Sequence, residues 1–287
     1  MTRPTPARIV MLGAILVTLL ASCARGRSDA SLALSLKPGM ERTMRFVTEQ
    51  KWSGARGSTV PGVPATGSPD LSSLTIVYRF RVASVDAQGT AKVDATVTDI
   101  RFPHGSPTAD TLRKAMMNDH TVVTVDRQGR LLSLSSDRSP AGFSGLPRPP
   151  GSPVPQGPVA GDLGTLFGAL DGRRVSVGET WTTEVPVGAS GIHGTLHWTL
   201  ASIAGTTARL EYSGRIAQEN VSLPGLPTGA VATLSGDMSG YVALELETGW
   251  PTQGRTDTTL VITLKRPSES PTRLVTLRIV SRFEPGS

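Results

Sequence analysis

The apolar and polar residues of this chain alternate with a period of two over much of its length. Over residues 74–82 every second residue is apolar, and mostly polar residues stand between them. The alternation recurs after residue 195 and again over residues 242–246, 260–264 and 275–279. Because successive side chains of a strand point to opposite faces, this pattern predicts strands with one buried and one solvated face. We predict a mainly β protein of antiparallel meander sheets, arranged as an open barrel or a sandwich.

Local departures from the alternation predict one bulge and two short helices. The phase slips after residue 97, which predicts a β-bulge near Thr98 and Asp99. Apolar residues at helical spacing predict a helix over residues 109–117 and another over residues 162–170, with Asp162 as the N-cap of the second. Glycines weaken the second helix, so we expect that packing on a sheet holds it, as a fixed plug or as a lid.

Short matches between the two halves of the chain indicate two related units. Residues 82–85, which precede a turn and a strand, match residues 200–203, and residues 36–39 resemble residues 175–178. A duplicated unit and a chance similarity between β-hairpins both account for these matches. A stretch rich in Pro and Gly divides the chain. We predict an N-terminal β unit at 31–138, a linker at 139–158, and a C-terminal helix plus β unit at 159–287, with a short helix packed on each unit.

The first 23 residues predict export and a lipid anchor. Arg3 and Arg8 precede an uncharged stretch over residues 9–21, which has the length of a signal-peptide core and is too short to span a bilayer. The segment Leu20-Ala21-Ser22-Cys23 closes this stretch and resembles the lipobox of bacterial lipoproteins. The resemblance implies that residues 1–22 are removed, that Cys23 is acylated, and that residues 23–30 form a tether. An ordinary secretory signal with an incidental cysteine is the alternative.

The lipobox resemblance also predicts where the protein resides. The membrane would be a partner through acylated Cys23, with the protein in the cell envelope and facing away from the cytoplasm. Ala24 stands where an Asp would resemble a retention signal for the inner membrane, which favours the outer membrane if the cell has one. The segment Gly178-Glu179-Thr180-Trp181 is similar to a family of uncharacterised exported bacterial lipoproteins, which implies no functional residues.

Composition limits the chemistry that the chain can carry. Cys23 is the only cysteine, so we predict no disulfide, and stability must come from burial and from sheet hydrogen bonds. The formal net charge is +6, but charges of like sign do not cluster, and aromatic residues make up only 5% of the chain. Nucleic-acid binding requires a clustered basic face, so we predict no nucleic-acid partner.

Two pairs of residues are candidates for metal binding or catalysis. His193 and His197 are four residues apart, and a strand separates such residues by about 13 Å, so we predict no metal site and no cofactor. Glu245 and Glu247 would share one strand face about 6.6 Å apart. That spacing suits acid/base chemistry on a glycosidic bond, but it is also typical of the wet face of a sheet. We therefore predict no catalytic residue.

These observations favour a function without catalysis. We expect a lipid-anchored envelope lipoprotein that binds a partner protein or an apolar ligand, because an open curved sheet could hold an acyl chain as lipoprotein carriers do. One alternative is an envelope hydrolase acting on wall or glycan substrates, with carboxylates converging from distant strands. Another is a purely structural envelope component. An apolar pocket would favour the ligand binder, and several buried polar groups in one cleft would favour the enzyme.

Overall fold

The structure is a computed structural model of the 287-residue chain. It describes residues 28–54, 73–102, 120–136, 172–187, 192–221, 231–265 and 272–286, together with Asp110, Arg113, Lys114, Met116, Met117 and Leu170. The predicted signal peptide at 1–22, Cys23 and the predicted linker at 139–158 therefore lie outside the described residues. Asp29 and Ala30, at the end of the predicted tether, belong to a strand.

The described residues form thirteen strands. Their bounds are β1 Asp29–Ser31, β2 Glu41–Gly54, β3 Ser73–Val85, β4 Ala91–Arg101, β5 His120–Val125, β6 Leu131–Ser136, β7 Arg174–Ser176, β8 Thr180–Val187, β9 Ile192–Ala204, β10 Thr207–Val221, β11 Val231–Glu245, β12 Pro251–Lys265 and β13 Thr272–Pro285. The prediction of a mainly β protein is confirmed. The strands follow the period-two pattern of the sequence, which places one row of apolar side chains on a single face of each strand.

Eleven of these strands form one antiparallel sheet in the order β6-β5-β4-β3-β2-β13-β12-β11-β10-β9-β8. The last strand, β13, pairs with the first long strand, β2, and this pairing joins the two predicted units into a continuous sheet. Strands β6 and β8 stand at opposite edges of this order and do not pair with each other in the described part of the chain, so the meander is not closed. A separate ladder pairs β1 with β7.

The sheet is strongly curved around its apolar face. Phe80 on β3 lies 5.5 Å, between ring centroids, from Trp250 in the turn between β11 and β12. In the sheet, strands β2 and β13 lie between these two positions. Neighbouring strands are about 4.8 Å apart, so a flat sheet would hold such residues much farther apart. We call the apolar side of the curved sheet its concave face.

Glycines allow this curvature at two positions in the middle of the sheet. A Cβ on Gly240 would stand 2.0 Å from the Arg255 carbonyl oxygen and 2.7 Å from the Tyr212 hydroxyl oxygen. A Cβ on Gly254 would stand 2.2 Å from the ring of Phe283. Only glycine permits these approaches, which is the usual role of an interior strand glycine at a tight bend.

The N-terminal segment covers the end of the sheet that carries the tight turns. Leu32, Leu34 and Leu36 are buried in the main hydrophobic cluster. The Leu34 amide donates to the carbonyl of Arg127 in the β5–β6 turn, and the Ser35 amide donates to the carbonyl of Thr248 in the β11–β12 turn, both at 2.8 Å. The segment thereby ties turns from both halves of the chain together. We call this the turn end of the sheet.

The two sequence-matched units repeat the same backbone geometry. Gly39 and Gly178 have positive φ angles of 82° and 88°. The Gly39 amide donates to the Val82 carbonyl, and the Gly178 amide donates to the Leu200 carbonyl, each at 2.8 Å. The strand register slips immediately after Val82 in β3 and immediately after Leu200 in β9. The similarity of the two units therefore extends from the sequence to hydrogen bonds and bulges.

The structure describes the predicted bulge fully and the two predicted helices only in part. The bulge in β4 is confirmed, because Val97 and Asp99 pair with consecutive residues of β3 and Thr98 is left over. The described residues of the 109–117 helix are helical, apart from a turn at its last residue, and Met116 and Met117 pack against the core. Residues 162–169 of the other predicted helix lie outside the described residues. Leu170, its last residue, is buried but not helical.

Candidate functional site

The concave face divides into two halves along the strands. Near the turn end, aromatic side chains fill it, and we call this region the aromatic half; it contains Phe46, Tyr78, Phe80, Trp181, Trp198, Tyr212, Trp250 and Phe283. Farther along the strands, aliphatic side chains cover the face of β11 to β13, and we call this region the aliphatic half; it contains Leu234, Leu260, Ile262, Leu264, Leu277 and Ile279. The two halves have different packing.

Ring-to-ring contacts make the aromatic half a closed core. Phe46 stacks on Phe283 at 5.7 Å between ring centroids, across the junction of β2 and β13. On the other side, Trp198 lies 4.5 Å from Tyr212 and 6.4 Å from Trp181. Aromatic pairs at these separations stabilise a core beyond the area that they bury. The described residues of this half therefore belong to the hydrophobic core that holds the sheet together.

The aliphatic half is less completely covered. Leu260, Ile262 and Ile279 retain partial exposure although they lie on the apolar phase of β12 and β13. Register places Leu260 opposite Leu277 and Ile262 opposite Leu234, so these side chains form one continuous surface. A concave apolar surface that the described residues leave partly uncovered is the usual form of a site for an apolar ligand.

A row of hydroxyl groups separates the two halves. The Thr48 and Ser281 hydroxyl oxygens lie 3.2 Å apart, and the Tyr212 hydroxyl reaches over Gly240 to lie 2.5 Å from the Thr256 hydroxyl. We call Thr48, Tyr212, Thr256 and Ser281 the hydroxyl belt. Its hydroxyl groups bond one another, so it forms a polar floor under the aliphatic half whose hydrogen-bonding groups already have partners.

Polar side chains interrupt the aliphatic surface in two rows: Thr258 and Gln50 lie beside Ile279, and Gln218 lies beside Leu234. Gln218 on β10 is paired in register with Leu234 on β11, which in turn lies opposite Ile262 on β12. Its Oε1 atom is buried and accepts no hydrogen bond from the described residues. A buried carbonyl oxygen without a donor costs about 1–3 kcal/mol, so its presence needs an explanation.

Charged side chains occupy the outer face of the sheet and pair across neighbouring strands. Arg45 lies 3.3 Å from Glu284, Arg282 lies 3.5 Å from Glu49, and the Arg278 Nε donates to Asp257 at 3.0 Å. This hydrogen bond lowers the pKa of Asp257, and the charge of Arg278 adds to the effect. Among the described residues of the aliphatic half, the concave face carries no charged side chain.

The outer face also carries a groove of about 630 Å³ across β9, β10 and β11. Ser213, Ser239 and Ala217 line it, with Arg215 and Asp237 beside them. The side chains of Arg215 and Asp237 remain largely exposed although they lie 3.6 Å apart. The groove is thus a shallow, solvated feature of the polar face.

The two residue pairs considered for catalysis or metal binding lie on strand β9 and around the end of strand β11. His193 and His197 both lie on β9, as predicted, and the exposed His197 Nδ1 lies 3.1 Å from the Thr182 hydroxyl. In the part of the chain that the structure describes, no group of three or more metal-ligating side chains comes together.

The two glutamates do not share a strand face as the sequence suggested. Strand β11 ends at Glu245, and Glu247 lies in the following turn, where it pairs with Lys37 at 3.4 Å. Glu245 accepts hydrogen bonds from Thr248 at 2.7 Å and from Arg42 at 3.0 Å. These hydrogen bonds, of which the one from Thr248 has the larger effect, hold the pKa of Glu245 below its usual range. Through Glu245, the Arg42 side chain of β2 is thereby connected to the β11–β12 turn at the turn end of the sheet.

Sequence reasoning did not identify the hydroxyl belt or Gln218. The sequence nevertheless contains a pattern that indicates both. On β12, Thr256 and Thr258 occupy alternate positions that lead to the apolar residue Leu260, where a further apolar residue would be expected. In the same way, the apolar phase of β10 continues from Ile216 to Gln218. Polar residues in an apolar phase are the sequence pattern that marks such positions.

Comparison with known proteins adds one similarity. DUF6263, a family of unknown function, matches residues 159–251. The match covers β7 to β11 and includes the Gly178-Glu179-Thr180-Trp181 segment. No curated protein matches the chain. Within the described residues, no helix is both long enough and apolar enough to cross a membrane.

Proposed function

We propose that this protein is a lipid-anchored lipoprotein of the cell envelope that binds an apolar ligand, or an apolar segment of a partner, in the aliphatic half of its concave face. The observation that carries the proposal is the partial exposure of Leu260, Ile262 and Ile279 on one curved apolar surface. Cys23, in its lipobox-like segment, would supply the membrane attachment. The protein would face away from the cytoplasm, in the outer membrane if the cell has one.

The position of the N-terminal segment supports attachment at the turn end. Residues 24–28 are all that separate Cys23 from β1, and five residues span at most about 18 Å. The segment after β1 crosses the turn end. Strands of about 15 residues, such as β12, then extend the sheet by about 50 Å. The aliphatic half therefore begins well beyond the point of attachment.

The environment of the polar groups supports a binding role over a hydrolytic one. A general acid works best with a pKa near the operating pH, whereas the pKa of Glu245 is lowered by Thr248 and Arg42. In the hydroxyl belt, Tyr212 bonds Thr256 and Thr48 bonds Ser281. A hydroxyl becomes a nucleophile when a base activates it, and these hydroxyls contact one another instead.

Binding of an apolar dye tests the proposal. Full-length chain held on phosphatidylcholine vesicles should bind N-phenyl-1-naphthylamine above the level of protein-free vesicles. Ile262→Gln should weaken this binding about tenfold, because placing an amide on the apolar surface costs about 1–2 kcal/mol. Val261→Gln is the matched control, because Val261 is the neighbouring residue on the opposite face of β12 and is also partly exposed.

The control variant should leave dye affinity unchanged, and circular dichroism should show that both variants fold. The proposal is wrong if wild-type protein adds nothing to the signal of the vesicles. It is also wrong if the two folded variants lose affinity equally, since the dye would then not distinguish the concave face from the outer one.

A further inference from the structure

The aliphatic half has a polar boundary at each end. At its inner end, the hydroxyl belt forms a floor whose groups already bond each other, as Tyr212 and Thr256 do. At its outer end, Gln218 stands in the same row of side chains as Leu234 and Ile262. From the row of Thr256 to the row of Ile262 the strand rises by about 20 Å. An apolar group bound between these limits would meet Thr258 and Gln50 in the row of Ile279, and Gln218 in the row of Ile262.

Gln218 brings an unused hydrogen-bond acceptor to this row. Its Oε1 atom is buried, and none of the described residues donates to it. Buried acceptors are rarely left without a donor, because the loss of water is then not offset. A ligand that supplies a hydroxyl or an amide N–H at this position would satisfy the carbonyl oxygen.

The charge distribution limits what else the ligand can carry. Among the described residues, no charged side chain lies on the concave face of the aliphatic half. A charged head group buried there would lose its hydration without gaining an ion pair, which costs far more than burying a neutral hydroxyl. The surroundings of Gln218 therefore favour a neutral ligand.

We propose that the ligand is an uncharged amphipathic lipid. Its acyl chain would lie against Leu260, Ile262 and Ile279, with the chain end towards the hydroxyl belt. Its head group would donate a hydrogen bond from a hydroxyl or an amide to the Oε1 atom of Gln218. This inference rests on the proposed function and adds to it the chemical class of the ligand and the residue that selects it.

Three ten-carbon probes test the ligand class: 1-monodecanoylglycerol, which has donor hydroxyls, methyl decanoate, which has none, and ionised decanoate at pH 8. Each is titrated onto full-length chain on phosphatidylcholine vesicles, and binding to protein-free vesicles is subtracted. The wild type should bind the glycerol ester most tightly. Decanoate should bind at least about tenfold more weakly than the glycerol ester, because its carboxylate would be desolvated without a partner.

Gln218→Leu should weaken binding of 1-monodecanoylglycerol about tenfold and should not weaken binding of methyl decanoate. Gln253→Leu is the matched control, since Gln253 is an exposed glutamine on the outer face of β12. It should change neither affinity. If Gln218→Leu does not fold, Gln218→Met also removes the acceptor and keeps an unbranched side chain.

The outcomes separate this inference from the function on which it rests. If the wild type binds both esters equally and Gln218→Leu changes neither, the ligand class is wrong while apolar binding stands. Tight binding of ionised decanoate would likewise contradict the neutral class. If none of the probes binds above the vesicle level, the proposed function itself is wrong.

Discussion

Replacement of Trp198 by alanine is expected to lower the free energy of unfolding by about 3–5 kcal/mol. Trp198 is completely buried at the centre of the aromatic half. Its ring contacts Tyr212 and Trp181, and its Nε1 donates to the Thr183 hydroxyl at 2.8 Å. Truncation would remove these contacts together and leave a cavity that neighbouring strands cannot fill without breaking sheet hydrogen bonds.

Urea unfolding of the full-length chain, followed by circular dichroism, measures this loss. Leu132→Ala is the control, because Leu132 is a large apolar residue on edge strand β6 with 55% of its surface exposed. It should change stability by less than about 0.5 kcal/mol. If Trp198→Ala cost less than about 1 kcal/mol, the aromatic half would not be the core that the structure indicates.

Cys23→Ala is expected to abolish lipid labelling of the protein. In a lipoprotein the Cys23 sulfur carries the acyl groups, and each buried methylene contributes about 0.8 kcal/mol to membrane attachment. Without acylation, no other part of the described chain provides a membrane-spanning helix. The variant should incorporate no labelled palmitate and should not be processed at the bond before residue 23.

Labelling of cells with radioactive palmitate, followed by electrophoresis, measures this effect. Ser31→Ala is a suitable control, because it changes an exposed residue of β1 near the same end of the chain. It should label and mature as the wild type does. Palmitate incorporation into Cys23→Ala, or processing at the same bond, would contradict the lipoprotein assignment and favour an ordinary secretory signal.

The sequence predicted the strands well because their periodicity is a local property. Alternation in β3 and β9 directly reflects which face each residue occupies, and the phase slip at Thr98 marked a real bulge. Pairing between β13 and β2 could not be predicted in this way. It joins residues more than 200 positions apart, and strand periodicity contains no information about partners at that distance.

The candidate site was predictable only in outline. An open apolar sheet face was expected from the alternation, and the aliphatic half agrees with that expectation. The hydroxyl belt depends on the curvature that brings the Tyr212 hydroxyl over Gly240 to Thr256. The polar group at the other end depends on the burial of the Gln218 side-chain carbonyl. Both features arise from packing between strands. The predicted plug or lid at residues 162–170 stays a prediction, since residues 162–169 lie outside the described part.

The most direct test of lipid binding in the aliphatic half is mass spectrometry of small molecules that co-purify with the full-length protein from the cells that produce it. The wild type should carry a neutral, hydroxyl- or amide-bearing lipid enriched over the bulk membrane lipids, and folded Ile262→Gln should lose it while Val261→Gln retains it. Wild-type protein that carries only bulk membrane lipids, in the same amounts as both variants, would contradict a ligand site on the concave face.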